Sequence, residues 1–360
     1  MEQIRQTKQR RSFLEFAKDK NIEISVQRYL IDALSFMASG LFASLLIGTI
    51  FNTLGQNLHI SLFTDVINPL AKQVTGPAIA VAIAYGLQAP PLVMFSCALV
   101  GACGNELGGP VGAFVTTIFA CEFGKLVSKE TKIDIIVTPF VTICVGVLLS
   151  LGCAPAIGAA ASTVGTAIMW ATELQPFFMG IIVSVIVGIA LTLPISSAAI
   201  CAALSLTGLA GGAAVAGCCA QMVGFAVMSF KENKWGGLFA QGIGTSMLQM
   251  GNIVRTPRIW LPPTLASAIT GPVATCIFHL KMNGAAVASG MGTCGLVGQI
   301  GVYTGWVNDI AEGTKAAITG MDWAGLVLIC FILPAVLSWA IAIPMRKCGW
   351  IKENDLKLDL

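Results

Sequence analysis

Residues 236–263 read GGLFAQGIGTSMLQMGNIVRTPRIWLPP, and this stretch decides how the rest of the chain is interpreted. Its first part has the length and apolarity of a membrane helix. The stretch closes with two arginines and three prolines, and proline ends a helix. Polar side chains recur through it at steps of four, four, three and four, at Gln241, Thr245, Gln249, Asn252 and Thr256. This is helical spacing, so we expect the five side chains on one helix face.

Two interpretations of this polar stripe are open. An unpaired amide or guanidinium group is costly in hydrocarbon, so the stripe must face protein, water or a ligand rather than lipid. Intramembrane Gln and Asn side chains often bond only to a neighbouring helix, and that structural role is the alternative. Five polar groups followed by two arginines and a proline break favour a solute-facing site. The residues predicted to bind solute here are Gln241, Thr245, Gln249, Asn252, Arg255 and Arg258.

The composition is that of a membrane protein. Mean hydropathy is +0.82, 56% of the residues are hydrophobic and 11% are charged, whereas about a quarter of a soluble domain is charged. The net charge of +3 gives no indication of a nucleic-acid partner. The 12 cysteines lie almost entirely in apolar segments without metal-ligand spacing, so no disulfide framework, metal site or cofactor is predicted.

Apolar segments predict an all-α polytopic membrane protein with about ten transmembrane helices and two re-entrant or broken elements, twelve spans being the alternative. The first long apolar run begins at residue 34, after a basic segment expected to form an amphipathic helix over residues 12–32. A later predicted span covers residues 284–303. The predicted domains are a cytoplasmic N-terminal segment (1–33), a transmembrane transport domain (34–345) and a cytoplasmic tail (346–360).

Short basic loops predict the orientation. Lysines cluster in residues 125–132 and 231–234, and further basic residues lie near both ends of the chain. Loops rich in Lys and Arg remain in the cytoplasm. We therefore expect both loops and both termini on the cytoplasmic side of the membrane.

Faint internal repetition accompanies these spans. The tripeptide Thr-Gly-Pro occurs at residues 75–77 and again at 270–272. Each copy is followed by a cluster of small residues, GACG at 101–104 and GTCG at 292–295. The same order in both halves predicts an internally duplicated fold, an arrangement typical of carriers.

The carboxylate that stands out is Glu106, next to Asn105 in the segment GACGNELGGP (101–110). The glycines and the proline of this segment cannot sustain a plain helix. Unwound backbone at membrane depth survives only where it is buried in protein or lines an aqueous cavity. We therefore predict that Asn105 and Glu106 bind a solute, the alternative being a polar turn exposed to solvent.

His279 is a weaker candidate for the same solute. It ends a predicted span beside Lys281 and could hold a hydroxyl or a proton, although a histidine at the membrane interface is the commoner case. The sequence contains no nucleotide-binding P-loop, no triad-like Ser/His/Asp neighbourhood and no metal cluster. An enzymatic function is therefore not predicted.

At this point several motifs resemble a known family. They are SFMASGLFASLLIGTI (35–50), GNELGGPVGAF (104–114), LPISSAAI (193–200), AGCCAQMVGFAV (216–227) and QGIGTSMLQMGNIV (241–254). The chain from about residue 34 to 345 resembles the EIIC-type membrane proteins of the phosphotransferase system, in the branch that includes the clostridial perfringolysin O regulator.

The resemblance implies a multi-pass carrier in a bacterial cytoplasmic membrane, functioning as a homodimer. In sugar-transporting EIIC proteins, a Glu in a re-entrant hairpin and a His hold the sugar hydroxyls. Glu106 matches that Glu, and His279 matches the His only loosely. Such carriers work with phosphorylatable IIB and IIA units, and no segment outside the predicted spans is long enough to be one. A separate IIB/IIA partner, or loss of phosphoryl coupling, is therefore expected.

Two functions remain open at this stage. The first is a carrier that moves a small polar solute by alternating access, either a sugar or a sugar-derived or anionic metabolite. Glu106 favours hydroxyl groups, whereas Arg255 and Arg258 favour an anionic group. The alternative is a membrane-bound solute sensor with the same fold that regulates gene expression.

Overall fold

The computed structural model describes residues 13–193 and 195–358. Their regular elements are helices, which extend from α1 near the N-terminus to α14 near the C-terminus. In chain order the α-helices are α1 (Phe13–Asp19), α2 (Gln27–Leu58), α3 (Leu62–Gln73), α4 (Thr75–Gly86), α5 (Pro91–Val127), α6 (Asp134–Leu174), α7 (Pro176–Thr192), α8 (Ser197–Ala203), α9 (Gly208–Met228), α10 (Phe230–Phe239), α11 (Met250–Arg255), α12 (Leu261–Pro272), α13 (Val297–Ala311) and α14 (Gly320–Lys347).

The all-helical membrane class is confirmed, but a count of about ten spans is not. Five of these helices (α2, α5, α6, α9 and α14) are long and apolar enough to cross a membrane, and the bent pair α3 and α4 makes up to six. Other predicted spans are short, because α7 has 17 residues and α13 has 15, whereas a crossing needs about 20.

Helix α5 contains the break that its glycines predict. Gly109 has a φ of 62° and Gly108 is also non-helical. A Cβ on Gly112 would lie 2.5 Å from the carbonyl oxygen of Gly104, although eight residues of straight helix span about 12 Å. The chain therefore folds back at Gly108 and Gly109, and α5 is a helical hairpin with arms 91–107 and 110–127.

Helix α9 is the core of the second half of the chain. Within its most apolar window, 94% of the residues are buried inside the protein. Close packing against α7 explains the glycines, since a Cβ on Gly217 would lie 1.9 Å from the carbonyl oxygen of Ser184. Helix α12 crosses α7 in the same manner, with Gly271 against Gly180.

The stretch 236–263 is not the single helix that its periodicity predicts. A π-helical turn (Ala240–Gly244) ends at Thr245, whose backbone is extended (φ −158°, ψ 140°). A 3-10 turn and the short helix α11 follow, and a second break lies at Thr256. The break at Thr256 directly precedes Pro257, where the prolines predict that the helix ends. Hydrophobic periodicity missed the break at Thr245, because tertiary contacts, described below, hold the polar groups on either side of it.

The predicted span 284–303 is wrong for a similar reason. Residues 278–285 are irregular and 3-10 turns follow, with φ of 53° at both Gly292 and Gly295. A continuous helix begins only at Val297. The backbone of this segment packs directly against neighbours, because a Cβ on Gly290 would lie 2.4 Å from the carbonyl oxygen of Ser197.

The N-terminal region also differs from expectation. Helix α1 ends at Asp19, and α2 begins at Gln27, seven residues before the expected start of the first span. The predicted amphipathic helix over 12–32 is therefore wrong in extent, and its first residue lies outside the described part of the chain. The division into three domains stays a prediction.

The two Thr-Gly-Pro motifs occupy different places in their helices. Residues 75–77 open α4, whereas residues 270–272 end α12, which continues into a π-helical turn to Ile277. The small-residue cluster at 101–104 is helical, and the cluster at 292–295 is irregular. These motifs therefore give no structural support to the internal duplication, which stays a prediction.

The lysine-rich loops are closely packed with the chain ends. Lys125 is 1% exposed, and its Nζ donates hydrogen bonds to the carbonyl oxygens of Asn21 (2.9 Å) and Leu87 (3.2 Å). At the other loop, Arg346 pairs with Glu232 at 2.7 Å. Each loop therefore lies beside one end of the chain, and their location in the cytoplasm stays a prediction.

Candidate functional site

Three amides of the polar stripe form a hydrogen-bonded ladder. Gln241 and Gln249 are fully buried. The side-chain amide of Gln249 donates to Gln241 Oε1 (2.8 Å), and that of Asn252 donates to Gln249 Oε1 (2.8 Å). Gln241 in turn donates to Ser229 Oγ (2.8 Å). These contacts match the structural alternative for the stripe.

The C-terminal tail covers this ladder. Gln249 and Asn252 donate to the carbonyl oxygens of Leu356 (3.0 Å) and Lys357 (2.9 Å). Leu356 is fully buried, and Asn233 holds the same segment by accepting from the amide of Leu358 (2.8 Å) and donating to the Leu356 carbonyl (2.7 Å). The tail therefore lies where a solute would have to contact Gln249.

The two arginines that follow the ladder in sequence are not hydrogen-bonded to it. Arg255 and Arg258 are exposed, and the Arg258 guanidinium lies 5.6 Å from the ring centre of Trp350 in the tail. This cation–π contact is at the protein surface. Neither arginine shares a hydrogen bond with the ladder among the described residues.

Asn105 and Glu106 lie at the tip of the α5 hairpin. Glu106 is exposed and Asn105 is half-buried. The tip itself packs against the middle of α6, where a Cβ on Gly158 would lie 2.7 Å from the Cα of Gly108. A cavity of about 260 Å³ adjoins the tip, with Ser162 and Ser205 on its wall. Glu106 therefore lies beside the turn of a helical hairpin.

His279 lies in a region separate from the amide ladder and from the tip of the α5 hairpin. It is exposed, has a φ of 46° and follows the π-helical turn after α12. A small cavity of about 70 Å³ beside it is lined by Asp309 and by the ion pair of Lys315 with Asp322 (2.9 Å). The fold therefore distributes the nine predicted site residues over separate regions, and their roles in solute binding stay predictions.

A larger cavity joins the breaks in three parts of the chain. It has a volume of about 440 Å³ and lies between α2, the segment linking α7 to α8, the break at Thr245, and the irregular segment before α13. Of the nine predicted residues, Thr245 lines this cavity. The polar side chains on its wall are Gln27, Asp32, Ser35, Ser196, Ser197 and Thr245.

One face of α2 forms the long wall of the cavity. The lining residues recur at helical spacing between Gln27 and Phe42, a distance of about 22 Å along the axis. Sequence reasoning missed this wall because it placed the start of the span at residue 34. The missed signal is Asp32, a carboxylate that follows immediately on the apolar residues Leu30 and Ile31.

Hydrogen bonds tie the three breaks to one another. The Ser197 hydroxyl donates to the carbonyl oxygen of Gly290 (2.6 Å), which connects α8 to the irregular segment. The hydroxyls of Thr192 and Ser246 lie 2.9 Å apart and connect the end of α7 to the Thr245 break. The Ser197 hydroxyl thereby satisfies a backbone carbonyl oxygen inside the protein, as a membrane environment requires.

Asp32 is the one charged residue on the described wall of this cavity. It accepts a hydrogen bond from the side-chain amide of Gln27 (3.1 Å). The other polar groups on the wall are the Gln27 amide and serine and threonine hydroxyls. Such a set can accept from and donate to hydroxyl groups, and it offers no cation for an anionic group. The described residues contain no cluster of three metal-ligating side chains.

Comparison with known proteins identifies the family. A sequence model of the family described as "Phosphotransferase system, EIIC" matches residues 31–358 of this chain. No curated protein and no solved structure matches it. The chain therefore belongs to the phosphotransferase system EIIC family, whose members are membrane transporter components.

Proposed function

We propose that this EIIC protein is a carrier for a small, uncharged, hydroxyl-rich solute of the sugar or polyol class. The observation that carries the proposal is the meeting of three backbone breaks at one cavity. Broken helices of this kind form the midplane sites of many carriers. Alternating access would then consist of opening and closing this cavity, whose wall is shared by helices from both halves of the chain.

The chemistry of the cavity wall favours a solute with hydroxyl groups over an anionic solute. Asp32 carries the one charge among the described residues of the wall, and an anionic solute would be repelled by it. A hydrogen bond to a charged acceptor contributes about 1.5–3 kcal/mol. The arginines that favoured an anionic group, Arg255 and Arg258, are exposed and do not line this cavity.

Glu106 and Asn105 belong to the proposed solute path as a second polar position. An exposed carboxylate between two apolar hairpin arms is costly in hydrocarbon. A water-filled path, or a second copy of the chain, would satisfy it. The proposal therefore includes a homodimer and a bacterial cytoplasmic membrane, as the family resemblance implies, with IIB and IIA functions supplied by separate proteins.

Counterflow exchange in liposomes tests the carrier. Purified protein is reconstituted with an unlabelled sugar or hexitol inside, and entry of the same labelled compound is measured, which requires no phosphoryl donor. A panel of neutral hexoses and hexitols is compared with hexose phosphates. We expect exchange of a neutral compound, and Asp32→Asn should weaken its apparent affinity roughly ten- to a hundredfold.

Asp65→Asn is the matched control, because Asp65 is exposed and its carboxylate contacts only the neighbouring Thr64 hydroxyl among the described hydrogen bonds. An equal loss of apparent affinity in both variants would show that Asp32 does not bind the solute. Exchange of hexose phosphates alone would overturn the assignment to a neutral solute. Saturable binding without any exchange would favour the sensor instead.

A further inference from the structure

A groove outside the proposed solute cavity lies beside the C-terminal ends of α9 and α14. It has a volume of about 580 Å³, and its floor is apolar, with Val227, Leu238, Ala342 and Ile343 on it. Trp339 lines the groove and is 55% exposed. Trp is enriched at the level of the lipid headgroups, and Trp339 lies about two turns before the end of α14.

Three cationic side chains also line the groove. Lys231, Lys234 and Arg346 all contribute to its wall. Arg346 is already engaged, since it donates to Glu232 (2.7 Å) and to the carbonyl oxygen of Met228 (2.9 Å). The side chain of Lys234 makes no hydrogen bond or ion pair with any described residue. Lys231 meets Glu353 at 3.2 Å, but the two side chains are 72% and 81% exposed, so this pair is weak.

We propose that this groove binds an anionic phospholipid from the bilayer. The apolar floor would take an acyl chain, and Lys234 together with Lys231 would hold the headgroup phosphate. Basic pockets between membrane helices bind anionic headgroups in this manner. Long lysine side chains can reach the headgroup level while their stems stay on apolar surface. A zwitterionic lipid would fit the floor equally well but would carry no net charge for the lysines.

Native mass spectrometry of the purified full chain tests the site. The protein is titrated with phosphatidylglycerol or with phosphatidylcholine of the same acyl chains, and bound lipid is counted. We expect preferential retention of phosphatidylglycerol. The double variant Lys231→Gln/Lys234→Gln should lower its affinity roughly 25-fold, because each lysine near the surface contributes about fivefold. Both lysines are exposed, so the fold should be unaffected.

Matched controls separate the groove from general surface charge. Lys347→Gln/Lys352→Gln removes two exposed lysines that do not line the groove, and it should retain the lipid preference. Ile343→Trp fills the apolar floor without changing charge, and it should weaken phosphatidylglycerol binding. Equal retention of the two lipids, equal loss in the control, or full retention in Ile343→Trp would each overturn the proposal. Competition by free glycerol 1-phosphate at equal concentration would indicate a soluble anion instead.

Discussion

Replacing Leu356 with alanine should release the C-terminal tail from the amide ladder. Leu356 is fully buried in a cluster with Phe225, Ile253 and Ile259. Loss of a buried leucine side chain costs about 2–5 kcal/mol, with the smaller values where the site can collapse. A terminal segment collapses easily, so we expect about 2–3 kcal/mol. This corresponds to roughly a 30- to 150-fold rise in the undocked fraction of the tail.

The remaining contacts of the tail are the same before and after the substitution, so they do not offset the loss of the leucine side chain. They include two hydrogen bonds with Asn233 and one each from Gln249 and Asn252. Each neutral hydrogen bond contributes about 0.5–1.5 kcal/mol net. The exposed ion pair with Lys231 contributes about 1 kcal/mol at most.

Hydrogen exchange in detergent or nanodiscs measures the release. The amide of Leu358, which donates to Asn233 Oδ1, should exchange roughly 30- to 150-fold faster in Leu356→Ala, whereas amides of α9 should keep their protection. Lys357→Ala is the control, because that side chain is exposed. Unchanged exchange in Leu356→Ala, or the same acceleration in Lys357→Ala, would refute the docking of the tail.

Three further predictions follow from the hairpin and the loops. Glu106→Gln should reduce solute binding roughly ten- to a hundredfold in a ligand-stabilisation assay while the protein stays monodisperse; normal binding would make Glu106 a turn residue. Gly108→Val should destabilise the hairpin by several kcal/mol in thermal unfolding, because even a Cβ there would lie 2.3 Å from the Ala154 carbonyl oxygen; Gly152→Val, at a site with no atom within 4 Å of such a Cβ, is the control. A cysteine at Lys129 in a Cys-depleted variant should resist an impermeant thiol reagent from outside intact cells; labelling there would reverse the orientation.

The α5 hairpin was predictable from sequence because its cause is local. Gly108 and Gly109 followed by Pro110 cannot continue a helix, and the turn is made where these residues lie. Helical class and membrane location were predictable for a comparable reason, since composition and long apolar segments indicate them. The number of spans was not predictable, because the length and apolarity of a segment do not distinguish a straight helix from a hairpin of two arms.

The amide ladder shows where periodicity fails. A solute-facing stripe and an internally bonded stripe have the same spacing, and the difference depends on what covers them. Here the cover is the tail, whose polar residues 352–355 look like an unstructured end. Its buried positions, Ile351 and Leu356, are five residues apart. Two apolar residues at this spacing are too little for sequence reasoning to detect a docked segment.

The proposed solute cavity depends both on local sequence, which makes each break, and on tertiary contacts between the breaks. Each break has its own local signal, such as the prolines and serines of LPISSAAI or the glycines of GTCG. Each break alone would leave backbone groups unpaired in the membrane, which costs several kcal/mol per group. The bonds from Thr192 to Ser246 and from Ser197 to Gly290 show that the breaks pair with one another. These contacts bring the breaks together, and the place where they meet is the cavity proposed for the solute.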